Sequence, residues 1–148
     1  MFMLNELLIK ELSDQVETNV SDIQKMKDAE IYSTNEVKTN KRWINGKPIY
    51  RKTIYVSSLP NATATDYSHG ITNVESIWAD MSNSFVKWTD GVVAPLPYVS
   101  IGSPGATAVY SSMIELRGIN STKFTIATGF DRSNLSAYIT LNYTKTTD

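Results

Sequence analysis

Apolar residues recur along the first thirty positions with the alternating three- and four-residue spacing of a coiled-coil helix. With Phe2 at heptad position a, six of the eight a and d positions through Met26 are apolar, and the spacing is unbroken from residue 9 to residue 26. Such a narrow stripe gains stability mainly from partner helices. The pattern predicts a coiled-coil stalk helix over residues 1–31. Its core positions are Ile9, Leu12, Val16, Asn19, Ile23 and Met26.

Asn19 places a polar side chain at a d position of this seam. A buried polar residue in a coiled coil lowers stability while it fixes register and the number of helices. Val16 and Ile23 around an Asn resemble the trimeric stalks of phage fibres and bacterial trimeric adhesins. That resemblance implies a homotrimer in which three Asn19 side chains hold an anion, commonly chloride, on the axis. The alternatives are a wet, frayed seam at Asn19, and a single helix folded back on the head, whose stripe Leu8 and Val20 would widen.

From Tyr32 onward the pattern changes to short alternating runs separated by turn residues. All seven Gly, all five Pro and fourteen of the fifteen aromatics lie in this part. In the last run, one predicted strand face carries Ala137, Ile139, Leu141 and Tyr143, and the other carries Tyr138, Thr140, Asn142 and Thr144. The first face predicts a core. The second is polar and uncharged, which suits either solvent or an interface.

The same reasoning predicts strands over residues 49–59, 75–80, 85–88, 106–117, 123–128 and 137–144. Residues 81–84 are predicted to form a hairpin turn between the strands at residues 75–80 and 85–88. Residues 92–101 contain Pro95 and Pro97, so they form an edge strand or a loop. Six to eight short strands without a βαβ rhythm predict a mainly β chain, with an antiparallel β-sandwich or jelly-roll-like head over residues 32–148.

Charge is unevenly distributed, although the net charge is only −1. Residues 1–31 carry seven acids and three bases, whereas residues 32–148 carry eight acids and eleven bases. Aromatic residues interleave with a basic run, which would suit a nucleic-acid surface. We favour a solvated face, or pairing with the acidic stalk of a neighbour, and expect no nucleic-acid partner. The run comprises Lys38, Lys41, Arg42, Lys47, Arg51 and Lys52.

The residues that usually carry catalysis or bind metals are scarce. The chain has no Cys, and His69 is its only His, so we expect no metal site, no catalytic residue and a hydrogen-bonded structural role for His69. Asp80, Asp90 and Asp131 could supply a glycosidase-like carboxylate pair, but nothing in their spacing selects two of them. No run reaches the length of a membrane span, so membrane insertion is not expected.

Residues 42–54 read RWINGKPIYRKTI, in which Asn45-Gly46 predicts a two-residue hairpin turn. This stretch resembles the form W-x-(D/N)-G-K-P-(I/L)-Y-R-K-(T/V) of many phage and prophage tail-fibre and baseplate proteins. The segment from His69 to Ile71 and residues 139–148 also resemble that group. The resemblance covers residues 32–148. It implies the C-terminal, trimeric head of a fibre that contacts the bacterial surface, located in the phage tail of the virion and acting outside the cell.

Within that family the head would bind a host receptor, and other tail proteins would join through the N-terminal side. A saccharide receptor favours exposed aromatic residues beside polar loop residues. Such residues near predicted turns are Trp88, Tyr98, Asp131 and Arg132. Two alternatives stay open: a purely structural trimerisation or fibre-attachment module, and a glycan-modifying fibre enzyme.

Overall fold

The structure is a computed structural model that describes residues 1–101 and 108–148, with the backbone alone for residues 101 and 108–111. The described residues form an N-terminal helix, a short 3-10 helix and ten strands arranged in two antiparallel sheets. In chain order the elements are α1 (Phe2–Asp28), β1 (Val37–Arg42), β2 (Pro48–Val56), β3 (Ala64–Ser68), β4 (Val74–Ala79), the 3-10 helix (Met81–Asn83), β5 (Phe85–Lys87), β6 (Val93–Pro95), β7 (Tyr98–Ile101), β8 (Ala108–Ile119), β9 (Lys123–Thr128) and β10 (Ser136–Lys145).

The predicted N-terminal helix is confirmed, and it ends at Asp28 rather than at residue 31. Its 27 residues contain no Gly or Pro, and its last turn carries Lys25 and Lys27, which suit the negative end of the helix dipole. None of its residues is buried. Leu8 and Val20 are both more than half exposed, so the alternative of a helix folded back along the head is wrong.

The first sheet is built around the long strand β10. One edge of β10 pairs with β2 from Tyr143 opposite Tyr50 to Ala137 opposite Val56. Its other edge pairs with β5 and then with β4, which follow each other along the same side. With β1 beyond β2 and β6 beyond β5, the strand order is β1-β2-β10-β5-β6, and β4 also lies beside β10.

The second sheet has the order β3-β9-β8-β7 and packs on the first across a shared hydrophobic core. Ile139, Leu141 and Tyr143 of β10 meet Phe124 and Ile126 of β9 in this core, and all five are 0% exposed. The predicted inward face of the last strand is therefore confirmed. The head is a two-sheet β-sandwich, and its ten described strands exceed the six to eight expected.

The strands of the structure differ from the predicted ones in two respects. Residues 81–84 do not form a hairpin, because β4 and β5 do not pair with each other and instead succeed one another beside β10. The 3-10 helix between them is fixed to β10 through Thr140, whose carbonyl accepts from Asp80 N at 2.8 Å and whose N–H donates to Ser84 Oγ at 2.9 Å. The sequence does not predict β1 (Val37–Arg42) or β3 (Ala64–Ser68), because both lie at sheet edges with mostly exposed side chains.

The predicted turn at Asn45-Gly46 is present but one residue longer than a two-residue loop. Trp43 N donates to Lys47 O, and Gly46 N donates to Trp43 O, both at 2.9 Å. Gly46 has φ of +83°, which fits a hairpin whose third loop residue is left-handed. The Asn45 side chain accepts from Lys47 N at 3.1 Å and fixes the turn. The turn therefore joins β1 to β2, as the motif predicts.

Candidate functional site

The helix is joined to the head by Arg51, a member of the basic run. Alternation along β2 turns Arg51 away from the core, onto the opposite face of the first sheet, which we call the outer face (Arg51, Thr53, Tyr55, Tyr138 and Thr140). There its guanidinium donates to Ala29 O at 3.1 Å and to Ile31 O at 2.7 Å, and it lies 4.0 Å from the ring of Tyr32. Arg51 is nearly buried, and it holds the carbonyls that follow the helix.

A second set of contacts places the helix beside β1. Asn40 Nδ2 donates to Met26 O at 3.2 Å, and Lys25 and Asp28 border the gap of about 460 Å³ between the helix and β1. Lys25 and Asp28 occupy heptad positions c and f, which lie on the back of a coiled-coil helix. The head therefore lies behind the seam, contacts the backbone carbonyl of Met26, and leaves the side chains at the a and d positions uncovered.

The predicted seam residues are all present on this uncovered helix. Ile9, Leu12, Val16, Ile23 and Met26 are 48–68% exposed. Asn19 is also exposed, and its Oδ1 accepts from Gln15 Nε2 at 2.9 Å within the helix. The structure thus displays a continuous apolar stripe with one polar position and gives it no partner within the described chain.

Two of the four candidate receptor residues, Trp88 and Tyr98, come together on the side of the head opposite the helix. Trp88 follows β5 and Tyr98 begins β7, and their rings meet edge to face with centroids 5.1 Å apart. Together with Asp90, Val92 and Ala94 they line a cleft of about 260 Å³. This cleft lies at the β5–β6 edge of the first sheet, whereas the helix lies beside the other edge strand, β1.

Arg132 and Asp131 take different positions. The Arg132 guanidinium lies 5.9 Å from the Tyr98 ring and 5.7 Å from the Phe130 ring, and it donates to Ser112 O at 3.0 Å. It therefore supports Tyr98 and does not line the cleft. Asp131 accepts from Ser133 N at 2.9 Å, and its hydrogen bonds to Ser133 lower the pKa of the carboxyl. Asp131 therefore stabilises the turn in which it lies.

Asp90 is the cleft residue that sequence reasoning did not select as a receptor contact. Its Oδ1 accepts from Val92 N at 3.0 Å, which fixes the turn at residues 89–91 and keeps an exposed carboxylate beside Trp88. In the sequence, Asp90 is one of three scattered acids with no neighbouring acid. The sequence feature that identifies Asp90 as a possible receptor contact is its position in the predicted turn, two residues after Trp88.

A larger cavity of about 370 Å³ lies on the outer face, next to the point where the chain leaves the helix. Its rings are Tyr32, Phe85 and Tyr138, and the rest of its lining is neutral hydroxyl and amide side chains. Tyr55 continues the row of rings, with its centroid 5.0 Å from that of Tyr138. The cavity-lining residues are Tyr32, Ser33, Thr34, Thr53, Ser82, Asn83, Phe85, Tyr138 and Thr140.

Most of the basic run is used within the head. Lys47 forms an ion pair with Glu75 at 3.0 Å, which lowers the pKa of that carboxyl, and Lys52 donates to His69 O at 3.0 Å. Arg42 donates to Gly46 O at 2.8 Å, and Arg51 binds the segment after the helix. The bases therefore point to separate internal acceptors. They do not form one basic surface.

His69 is 1% exposed and has a structural arrangement. Its Nδ1 accepts from Ile71 N at 3.1 Å, so the proton resides on Nε2, which donates to Asn120 O at 3.0 Å.

Glu36, just after the helix, accepts from Tyr143 Oη at 2.7 Å and pairs with Lys145 at 2.6 Å. Burial, followed by the hydrogen bond to Glu36, raises the pKa of Tyr143 above its ordinary value.

Asp80, Asp90 and Asp131 serve three separate turns. Asp80 precedes the 3-10 helix and accepts from Asn83 Nδ2 at 2.9 Å, while Asp90 and Asp131 accept from N–H groups two residues ahead of them. Within residues 1–101 and 108–148 no three acidic or His side chains gather as a metal site. The same residues contain no helix that is long and apolar enough to cross a membrane.

Comparison with known proteins gives no match to a family model, to a curated protein or to a solved structure. The class of this protein is therefore inferred from its own residues: an exposed heptad helix, a β-sandwich attached behind its seam, and two aromatic depressions on the sandwich.

Proposed function

We propose that this chain is the non-enzymatic, homotrimeric head of a phage tail fibre, and that it attaches the particle to a saccharide on the host cell surface. The observation that carries the proposal is the exposed heptad seam, because the head faces Lys25 and Asp28 across a gap behind the seam and leaves the seam side chains uncovered. The resemblance of residues 42–54 to tail-fibre proteins supports the same class.

The stalk part of the proposal follows from the energetics of the helix. Isolated helices are marginal in water, and most helical stability in proteins comes from packing an apolar face. Three copies would bury Ile9, Leu12 and Val16 in a common core, with Ile23 and Met26 continuing it towards the head. Three Asn19 side chains would then form a polar layer that fixes register and binds an anion such as chloride on the axis.

The receptor part of the proposal places the saccharide in the cleft between Trp88 and Tyr98. Aromatic rings supply an apolar surface for a sugar ring, and the exposed Asp90 carboxylate accepts hydrogen bonds from hydroxyl groups. The cleft lies across the first sheet from the stalk, so it stays accessible when the helices associate. Three such clefts on one trimer would add weak contacts into useful avidity.

The experiment measures binding of the intact protein to a panel of bacterial strains and to polysaccharides purified from their envelopes. Val92→Lys fills the cleft with a long charged side chain and should lower binding strongly. Val93→Lys is the matched control, because Val93 is equally exposed, 57% against 58%, and lies outside the cleft lining. Equal binding by the two variants would exclude this cleft.

The two alternatives give different results in the same assay. A structural trimerisation or attachment module would be trimeric and would neither bind cells nor compete with phage adsorption. A glycan-modifying enzyme would release soluble sugar or acyl groups from the purified polysaccharide. Release of either product by the wild-type protein would contradict the non-enzymatic part of the proposal.

A further inference from the structure

The outer face of the first sheet carries a row of aromatic rings in partial contact with solvent. Tyr55 and Tyr32 are 51% and 50% exposed, and Phe85 and Tyr138 are half-buried. The centroid of the Tyr138 ring lies 5.0 Å from that of Tyr55 and 5.4 Å from that of Phe85. Aromatic residues are enriched at protein interfaces, and contiguous apolar surface on a soluble protein marks a contact site.

The polar groups beneath this row are already paired within the chain. Thr53 Oγ1 and Thr140 Oγ1 lie 2.9 Å apart, and Thr140 Oγ1 also donates to Asn83 O at 2.8 Å. Arg51, at the stalk end of the face, is nearly buried by its contacts with Ala29, Ile31 and Tyr32. The surface that remains open is therefore mainly aromatic, and the 370 Å³ cavity within it has no charged residue in its lining.

The position of the helix determines where this face points. The chain leaves the helix on the outer face, since Arg51 of that face holds Ala29 O and Ile31 O. The head lies behind the seam, so the face that carries the helix also points towards the axis around which the seams associate. Exposed Ile31 and Tyr32 extend apolar surface from the end of the stalk to the cavity.

We infer that the outer face is the interface between heads, where it meets the outer faces of the other two copies at the threefold axis. This inference rests on the proposed trimer and extends it from the stalk to the head. Tyr32, Phe85 and Tyr138 of each copy lie against the neighbouring heads near the axis, just beyond the end of the coiled coil. The cleft at Trp88 remains at the outer edge, where a receptor can reach it.

Hydroxyl-radical footprinting of the full chain tests the inference, with a double seam variant, Ile9→Asp with Val16→Asp, as the monomeric reference. Light scattering establishes the mass of both proteins first. Oxidation of Tyr32, Phe85 and Tyr138 should be several-fold lower in the trimer than in the monomeric variant. Phe130, which is 46% exposed and lies away from this face, should react equally in both.

A substitution sharpens the result without relying on the core. Tyr55→Glu places a charge in the proposed interface, so it should lower the melting temperature of the trimer and restore oxidation of Tyr138. Phe130→Glu, a change of an equally exposed aromatic residue, should do neither. In the monomeric seam variant, Tyr55→Glu should lower the melting temperature by less than in the trimer, because only the contact with Tyr138 of the same chain is lost.

Three results would overturn the inference, and they are distinguishable. A monomeric wild-type chain removes the proposed trimer together with its head interface. A trimer in which Tyr138 is as reactive as in the monomer keeps the stalk and excludes the interface. Protection of Tyr138 that appears only when envelope polysaccharide is added assigns the outer face to the receptor.

Discussion

The helix and the head of this protein differ in how far their apolar residues are buried. In the head, Ile139, Leu141 and Tyr143 are 0% exposed within a single chain, whereas Leu12 of the helix is 66% exposed. The core between the two sheets of the head is therefore complete within one chain. The helix carries an apolar stripe that nothing in the described chain covers, and in the proposed trimer other copies would cover it.

The most direct test of this difference in burial is to replace one leucine in each region with alanine. Leu141→Ala leaves a cavity in a closed core and should cost about 2–5 kcal/mol of unfolding free energy, independently of protein concentration. Leu12→Ala should instead shift the midpoint of oligomer dissociation to higher protein concentration, because in the proposed trimer its partners belong to other copies. Chemical denaturation at several concentrations separates the two effects.

Leu7→Ala is the control on the helix. Leu7 is 53% exposed, similar to Leu12, but it lies at heptad position f, away from the seam. Its substitution should leave dissociation unchanged. Equal effects of Leu7→Ala and Leu12→Ala would mean that the heptad stripe does not define the contact.

The junction between the two regions gives the next largest effect. Arg51→Lys keeps the charge but replaces the planar guanidinium, whose Nη2 donates to both Ala29 O and Ile31 O and which lies over the Tyr32 ring. We expect a loss of about 1–3 kcal/mol in stability. Hydrogen exchange should also become faster at Thr53 N, which donates to Ser33 O.

Arg42→Lys is the matched change in the same basic run. Arg42 is exposed and makes a hydrogen bond to Gly46 O, so the same substitution there should stay within about 0.5 kcal/mol. If Arg51→Lys were equally mild, Arg51 would not be the residue that holds the helix to the head.

The hairpin of the tail-fibre-like motif tests a local feature of the head alone. Gly46→Ala forces a side chain into the left-handed region at φ of +83° and should cost about 1 kcal/mol. Gly118→Ala is the control, since an added Cβ there meets nothing within 4 Å and its backbone is outside that region. Thermal unfolding of both variants should show the difference, and a neutral Gly46→Ala would contradict the observed turn.

The smallest expected effect is a pH dependence in the head. Hydrogen bonding to Lys47 lowers the pKa of Glu75, so the contribution of this carboxylate is present at neutral pH and is lost as the pH falls through its folded pKa. Glu75→Gln should remove a small part of the acid-induced fall in melting temperature. Lys47→Met should remove the same part, and the double variant should show no additional loss. Additive effects would mean that the pair does not act as a unit.

The helix, its seam and the inward face of β10 could be predicted because each depends on a local period of apolar residues. The position of β4 and β5 could not, since both depend on β10, which is long enough to pair with them in succession. A turn-like sequence at residues 81–84 looks the same whether the flanking strands pair with each other or with a third strand.

Candidate sites show a similar division. Trp88 and Tyr98 were selected for being aromatic and near turns, and the crossing from β6 to β7 brings them together. The basic run does not distinguish Arg51, although Arg51 shares a strand face with Thr53 and Tyr55, opposite the face of Ile54 and Val56. Its role depends on where the helix exits, and no local pattern contains that information.

The mass of the intact chain in solution tests the central claim most directly. Multi-angle light scattering should give about 50 kDa, three times the 16.5 kDa of one chain, at concentrations where the stalk is assembled. The seam variant, Ile9→Asp with Val16→Asp, should give the mass of a single chain with its head still folded. A mass of 16.5 kDa for the wild-type protein across the accessible concentration range would contradict the account.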